Sequence, residues 1–129
     1  MSVVLDASVV VDALIDPGPQ GDWSRQYLST GQVLVPDLLY PEVTRALRRA
    51  EMKGFSSMED RFHSLVGLTW VSVRFDAYAR WVWPLRHDIS LYDACYVALA
   101  QSTERPLVTL DKKLASTVKR YCEVLTPDD

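Results

Sequence analysis

The chain has 129 residues, of which 48% are hydrophobic and 24% are charged, and this balance is typical of folded globular domains and not of disordered chains. Its formal net charge of −3 excludes a protein that coats polyanions through its overall charge, but leaves room for a local basic patch. This length predicts one domain over residues 1–129. We find no membrane-spanning apolar run, no secretory leader and no disulfide framework, and therefore expect a cytoplasmic protein.

The predicted elements alternate between strands and helices. Short apolar runs predict strands at 2–5, 33–35, 69–73, 106–110 and 123–125. Helices are predicted at 9–15, 22–29, 36–53, 56–66 and 90–102, at 112–120, and in an aromatic segment that begins at residue 76 and is disturbed by Pro84. This order is typical of an α/β domain with a central, mostly parallel sheet and helices on both faces.

Serines precede three of the predicted helices. Ser8 is a candidate N-cap, and Ser56 with Glu59 forms a candidate capping box. Ser90 with Asp93 forms another, at the start of the helix on which the sequence centres. From residue 91 to residue 100 every side chain of that helix except Asp93 is apolar or aromatic, so we expect the helix to be buried and the carboxylate to need a partner.

Four acids are predicted to converge at one edge of the sheet. Asp6 and Asp111 each end an apolar strand run, and Asp93 and Glu42 fall in or near the first turns of helices. The carboxyl ends of parallel strands and the starts of the helices that follow them share one edge, where ligands bind in such folds. We expect these four carboxylates to form the functional site.

The type of donor indicates which metal such a site would hold. Carboxylates held close together repel one another unless a cation lies between them. Oxygen ligands select Mg²⁺, with Mn²⁺ as a substitute, over zinc, and neither His63 nor His87 has a ligand-like neighbour in the sequence. A carboxylate-bound Mg²⁺ that keeps water ligands is suited to phosphodiester hydrolysis.

Polar and basic residues accompany these acids. Ser8 and Thr109 are candidates to orient the strand-end carboxylates or a metal-bound water. The phosphate backbone of a substrate would need cations near these acids, and Arg45, Arg49 and Lys112 are the candidate phosphate contacts. Arg48 and Lys53 are better explained as part of a solvated helix face.

Four motifs together resemble the PIN domain, and more narrowly the VapC toxins of bacterial and archaeal toxin–antitoxin pairs. They read V-L-D-A-S, P-x-L-L-Y-P-E-V-x-x-A-L-R-R, S-L-Y-D-A-x-Y-V-A-L-A and L-V-T-L-D-K-K-L-A, in that order along the chain. The resemblance implies a Mg²⁺-dependent endoribonuclease whose acids fall on Asp6, Glu42, Asp93 and Asp111, with the family's hydroxyl on Ser8.

The resemblance also implies partners. It predicts a homodimer and a cognate VapB-like antitoxin whose C-terminal segment blocks the site. The four tryptophans are compatible with an apolar docking groove, although core packing is the better explanation of Trp70. One departure is Arg45, since many relatives have asparagine three residues after the glutamate, and this puts any role of that position in doubt.

The predicted mechanism follows from the acid set. Asp6, Asp93 and Asp111 hold Mg²⁺ directly or through water, and Glu42, which could also reach the metal, orients or deprotonates the attacking water. In-line attack at phosphorus then leaves a 5′-phosphate and a 3′-hydroxyl.

Other functions remain open at the level of sequence. A housekeeping RNA-processing nuclease of the same fold would have the same residues, and so would a non-catalytic module that binds metal or partners. A receiver-like signalling domain is disfavoured because the second and third strand runs end in Val35-Pro36 and Val73-Arg74. A haloacid-dehalogenase-type phosphatase is disfavoured because Ser8 stands where it needs a second aspartate.

Overall fold

The computed structural model describes residues 2–29 and 31–127, within which there are five strands and seven α-helices. The strands are β1 (Val3–Leu5), β2 (Val33–Pro36), β3 (Val71–Val73), β4 (Leu107–Val108) and β5 (Val124–Leu125). The helices are α1 (Ala7–Ile15), α2 (Pro19–Arg25), α3 (Leu39–Met52), α4 (Met58–Val66), α5 (Ala79–Val82), α6 (Leu91–Thr103) and α7 (Lys112–Val118). Short 3₁₀ turns lie at Gln26–Leu28, Phe75–Ala77 and Trp83–Leu85.

The strands form one parallel sheet in the order β3–β2–β1–β4–β5. Val4 of the central strand pairs with Leu34 on one side and with Leu107 on the other. Because crossovers between parallel strands are right-handed, the reversal of strand order at β1 sends helices to both faces. The predicted α/β class is confirmed, and the reversal places a ligand-binding crevice beyond the carboxyl ends of β1 and β4.

Helix α6 is the most deeply buried helix, as its composition predicts. Every side chain from Ala94 to Ala100 is buried, and the helix packs across β1, β2 and β4. The hydroxyl of Ser90 accepts a hydrogen bond of 3.2 Å from the amide of Asp93 and so caps the helix. The thiols of Cys95 and Cys122 are both free.

Two predicted serine caps are wrong, and the helix predicted from residue 36 begins at Leu39 because Pro36 ends β2. The first helix begins at Ala7 with Asp6 as its N-cap residue, so Ser8 lies inside the helix and its hydroxyl bonds to Asp6 instead of capping a backbone amide. Helix α4 begins at Met58, after Ser57 in a left-handed conformation with φ of 67° and without a side-chain cap. The capping box expected at Ser56 is therefore absent.

Two predicted helices are partly replaced by 3₁₀ turns. The helix expected at 22–29 begins earlier, at Pro19, because proline is well placed at the first position of a helix, and a 3₁₀ turn follows its end. The aromatic segment after Arg74 is divided into α5 and two 3₁₀ turns, the second of which contains Pro84. None of the described helices is long and apolar enough to cross a membrane.

Candidate active site

Asp6 lies at the centre of the candidate site. It directly follows β1 and is only 7% exposed. The hydroxyls of Ser8 and Thr109 donate hydrogen bonds to its Oδ2 at 2.6 Å and 2.8 Å. Since both hydroxyls bind the same oxygen, they fix the carboxylate plane and leave Oδ1 without a hydroxyl donor.

Thr109 links the two central strands where the strand order reverses. Its side chain is fully buried between Asp6 and the turn that follows β4. The hydroxyl oxygen accepts a hydrogen bond of 3.0 Å from the amide of Asp111, and the amide of Leu110 donates to Ser8 at 3.2 Å. The two hydroxyls predicted to orient the acids thus connect the chain at Asp6 with the chain at Asp111.

Asp111 is exposed and caps a helix. Its Oδ1 accepts a hydrogen bond of 3.0 Å from the amide of Leu114 in the first turn of α7. This contact holds one carboxylate oxygen at the helix terminus. The capping role is structural, and it also fixes the direction of the second oxygen.

Glu42 approaches the site from α3. It lies half-buried in the first turn of this helix. The hydroxyl of Tyr96, in the buried helix α6, donates a hydrogen bond of 2.6 Å to its Oε1. This contact joins the two helices beneath the acids and leaves Oε2 outside the bond.

Burial and neighbouring carboxylates of the candidate site raise the pKa values of Asp6, Glu42 and Asp93. Burial raises the pKa of Asp6, and the negative charge of Asp93 raises it further. The hydrogen bonds from the two hydroxyls act in the opposite direction and lower it. Burial likewise raises the pKa of Glu42, with added fields from Asp6 and Asp93. The pKa of Asp93 is raised by burial and by the field of Asp111. Asp6, Glu42 and Asp93 therefore lie within electrostatic reach of one another, and Asp111 lies within reach of Asp93.

The arrangement does not form a closed metal cage. Among the described residues, no three or more histidine, cysteine, aspartate or glutamate side chains are placed closely enough to hold a metal ion together. Mg²⁺ does not need such a cage, because proteins usually bind it through one or two carboxylates with water and substrate phosphates as further ligands. The donor set, which is oxygen only, fits an ion of this kind.

The predicted phosphate contacts lie on the surface of the two helices that carry or follow Glu42 and Asp111. Arg45 and Arg49 are exposed on α3, three and seven residues after Glu42. In the part of the chain that the structure describes, neither arginine forms an ion pair. Lys112 is exposed in the first turn of α7, directly after Asp111.

Tyr96 is the residue of the site that sequence reasoning missed. It is 1% exposed and lies three residues after Asp93 on α6. A buried tyrosine hydroxyl usually has a hydrogen-bond partner, and the rest of this helix offers it none. A buried tyrosine that needs a hydrogen-bond partner, on a helix whose first turn carries an acid, was the sequence signal that could have identified Tyr96.

Comparisons with known proteins give the family. The family model for the PIN domain matches residues 3–120. The chain is 38% identical over 125 residues to ribonuclease VapC1 of Mycobacterium tuberculosis, covering 94% of each chain. It is 31% identical over 127 residues to ribonuclease VapC9 of the same species, covering 95% of each.

Solved structures agree with this assignment at the level of the fold. A toxin–antitoxin complex from Klebsiella pneumoniae superimposes with a TM-score of 0.70 at 18% identity and 97% coverage of each chain. VapBC2 of Rickettsia felis, bound to a DNA fragment from its promoter, gives 0.67 at 14% identity and 98% coverage. The chain therefore belongs to the PIN domain family, and within it to the VapC proteins.

Proposed function

We propose that the protein is a divalent-metal-dependent endoribonuclease and the toxin of a toxin–antitoxin pair. The observation that carries this proposal is the placement of Asp6. A buried carboxylate, oriented by two hydroxyls and raised in pKa first by its burial and further by Asp93, lies where the strand order reverses. Its curated relatives are named ribonucleases, and such a cluster of acids is suited to binding a cation beside a phosphate.

Asp6, Asp93 and Asp111 would hold the metal, directly or through water. Their oxygen donors favour Mg²⁺, with Mn²⁺ as a substitute. When bound, the ion supplies charge neutralisation at the phosphate oxygens and lowers the pKa of a coordinated water. The hydrogen bonds from Ser8 and Thr109 keep the Asp6 carboxylate in one orientation before any ion arrives, which reduces the entropy cost of binding.

Glu42 is the candidate for orienting or deprotonating the attacking water. Because the hydroxyl of Tyr96 donates a hydrogen bond to Oε1, Oε2 is the oxygen available to the water. Glu42 could also reach the metal. Attack in line with the leaving 3′-oxygen would produce a 5′-phosphate and a 3′-hydroxyl. The RNA 2′-hydroxyl has no part in this reaction.

The RNA backbone would contact the basic residues around the acids. Arg45 and Arg49 line the side of α3 that carries Glu42, and Lys112 lies beside Asp111. Positive side chains beside a carboxylate cluster offset the repulsion between these acids and a phosphate. We assign these three residues to phosphate contacts.

The proposed partners are a VapB-like antitoxin and a second copy of the chain. The names of the curated relatives and the toxin–antitoxin complexes among similar structures support the antitoxin. Tests are growth arrest on cytoplasmic expression, its relief by a small neighbouring gene, and sedimentation of the purified protein. A housekeeping nuclease would cleave RNA without arresting growth.

Cleavage of total cellular RNA tests the nuclease itself. The purified protein would be incubated with Mg²⁺ or with EDTA, beside Asp93→Asn and the control Asp60→Asn, which changes an exposed acid of α4. We expect products with Mg²⁺ from the wild type and the control only. Equal cleavage in EDTA, or a fully active Asp93→Asn, would refute the proposed site. No cleavage with either Mg²⁺ or Mn²⁺ would favour a binding module of the same fold.

A further inference from the structure

An apolar cavity of about 290 Å³ opens beside the acidic site. Its walls come from the start of α3, the segment around α5 and the first turns of α6. The aromatic, acidic and thiol side chains of its lining are those of Asp37, Phe75, Tyr78, Tyr92 and Cys95. The mechanism proposed above uses none of these residues.

The cavity lies close to two of the acids. Tyr92 immediately precedes Asp93 on α6. The thiol of Cys95, in the cavity wall, has its pKa raised first by burial and then by the fields of Glu42 and Asp37. The wall of the cavity therefore lies within electrostatic reach of an acid of the proposed active site.

Two aromatic rings stand at the cavity in contact with solvent. Tyr92 is 66% exposed and Phe75 is 50% exposed, although both line the cavity. Phe75 is held in place by an edge-to-face contact with Tyr78, with ring centroids 5.7 Å apart. Exposed aromatic rings fixed beside a cleft are platforms on which unpaired bases stack.

The cavity also contains polar groups that lack partners. The hydroxyl of Tyr78 is buried with no well-formed hydrogen bond to any described residue; the weakly accepting Cys95 thiol lies beside it. Asp37 is exposed and has no ion pair with the described residues. Its field reaches both Tyr78 and Cys95, so its charge faces the cavity. A carboxylate here would accept hydrogen bonds from an amino group.

We propose that this cavity binds one unstacked nucleobase of the RNA, next to the phosphate that is cleaved, and prefers a base with an exocyclic amino group over uracil. The inference rests on the proposed ribonuclease function and names the part of the site that selects the substrate. A base has apolar faces for Tyr92 and Phe75, and an amino-bearing edge for Asp37. Uracil would instead direct a carbonyl oxygen at the carboxylate.

Binding of short RNAs to a cleavage-deficient Glu42→Gln protein in Mg²⁺ tests the proposal. The RNAs carry one 2-aminopurine, whose fluorescence is quenched when it stacks. We expect quenching on binding, and a loss of affinity of about tenfold in Tyr92→Ala or Phe75→Ala. The matched control is Trp83→Ala, because Trp83 is also 66% exposed but does not line the cavity.

Base preference is measured in the same assay. Oligonucleotides that differ only by cytidine or uridine should differ in affinity with Asp37 present, and this difference should shrink in Asp37→Asn. Equal affinity of Tyr92→Ala and Trp83→Ala for the RNAs would overturn the proposal. If Tyr92→Ala instead turned a dimer into a monomer without changing RNA affinity per chain, the cavity would be occupied by a second copy, which would also overturn it.

The failure of the subsite can be told apart from the failure of the proposed function. If the wild-type protein cleaves RNA but substitutions at Tyr92 and Phe75 have no effect on affinity, only the subsite is refuted. If the wild-type protein neither binds nor cleaves any RNA, the ribonuclease function is refuted, and the base subsite with it.

Discussion

Tyr96 and Glu42 are joined by a hydrogen bond of 2.6 Å between helices that start 52 positions apart in the chain, at Leu39 and Leu91. The tyrosine is 1% exposed and rigidly held in α6, whereas the glutamate is half-buried at the edge of the acid cluster. The contact favours the charged form of Glu42 against burial and against the fields of Asp6 and Asp93, which raise its pKa. Tyr96 is therefore a positioning residue for Glu42.

Replacement of Tyr96 by phenylalanine should lower kcat. Loss of a hydrogen bond to a charged group is worth about 1.5–3 kcal/mol, which corresponds to a roughly 10- to 100-fold slower reaction. KM for RNA should change little, because Tyr96 contacts no substrate. Steady-state kinetics on a defined oligonucleotide would check this.

Tyr78→Phe is the matched control for Tyr96→Phe. Tyr78 is also 1% exposed, but its hydroxyl contacts no carboxylate. We expect this variant to keep kcat, with any loss confined to RNA affinity. A similar fall of kcat in both variants would indicate that Tyr96 acts only through the stability of the core.

Thr109 is predicted to matter through its hydroxyl. Thr109→Val keeps the shape of the side chain but removes the donor to Asp6 and the acceptor for the amide of Asp111. The free energy of unfolding should fall by about 1–3 kcal/mol, because the buried partners are left unsatisfied, and cleavage should fall with it. Thr109→Ser retains the hydroxyl and should keep most of the activity. Chemical denaturation and kinetics of the pair would check this, and equal losses would contradict it.

The metal-free protein should lose stability as the pH rises from about 4. The pKa values of Asp6, Glu42 and Asp93 are raised in the folded state. Between the unfolded and folded pKa values the folded protein therefore binds more protons, so its stability falls with rising pH and levels off above the folded values. Thermal unfolding in EDTA across this range would test the sign, and a stability that rises with pH through the same window would contradict it.

Asp93→Asn should raise the melting temperature of the metal-free protein at neutral pH. It removes a half-buried charge that Asp111 repels, and we expect an increase of roughly 2–5 °C. The gain should vanish near pH 4, and Asp60→Asn should show none. Mg²⁺ should stabilise the wild type and the control but not Asp93→Asn. Equal stabilisation of all three by Mg²⁺ would place the ion elsewhere.

Arg49→Gln should weaken RNA binding in a salt-dependent way. Each lost phosphate contact reduces the slope of log affinity against log salt concentration by about 0.7 for a single strand. Arg45→Gln should behave alike, and Arg48→Gln is the control from the same helix. Binding curves at several salt concentrations would check the assignment. An unchanged slope for Arg49→Gln, or an equal loss of slope for Arg48→Gln, would show that these arginines of α3 do not contact the RNA phosphates.

Much of the candidate site could be proposed from the sequence because its acids follow local patterns. Asp6 and Asp111 end apolar strand runs, and Asp93 opens a helix that is otherwise apolar. A residue that ends a strand in a parallel sheet has only one edge to occupy. The fold class followed from the same alternation of strands and helices, which requires no knowledge of distant contacts.

The remaining features depend on contacts between distant parts of the chain. The hydrogen bond from Thr109 to Asp6 joins residues 103 positions apart, and that from Tyr96 to Glu42 joins residues 54 positions apart. The expected cap at Ser8 failed for the same reason, since its hydroxyl is used by Asp6 and by the amide of Leu110. The local sequence around a residue does not show which distant groups will compete for its hydrogen bonds.

The most direct test of the account is the chemistry of the RNA ends. A purified oligonucleotide would be cleaved by the wild-type protein with Mg²⁺, and the products identified by mass spectrometry, beside a substrate with a 2′-deoxy sugar at the cleaved position. We predict a 5′-phosphate, a 3′-hydroxyl and continued cleavage of the deoxy substrate, because the acids direct water at phosphorus. A 2′,3′-cyclic phosphate with a 5′-hydroxyl, and no cleavage of the deoxy substrate, would contradict the account.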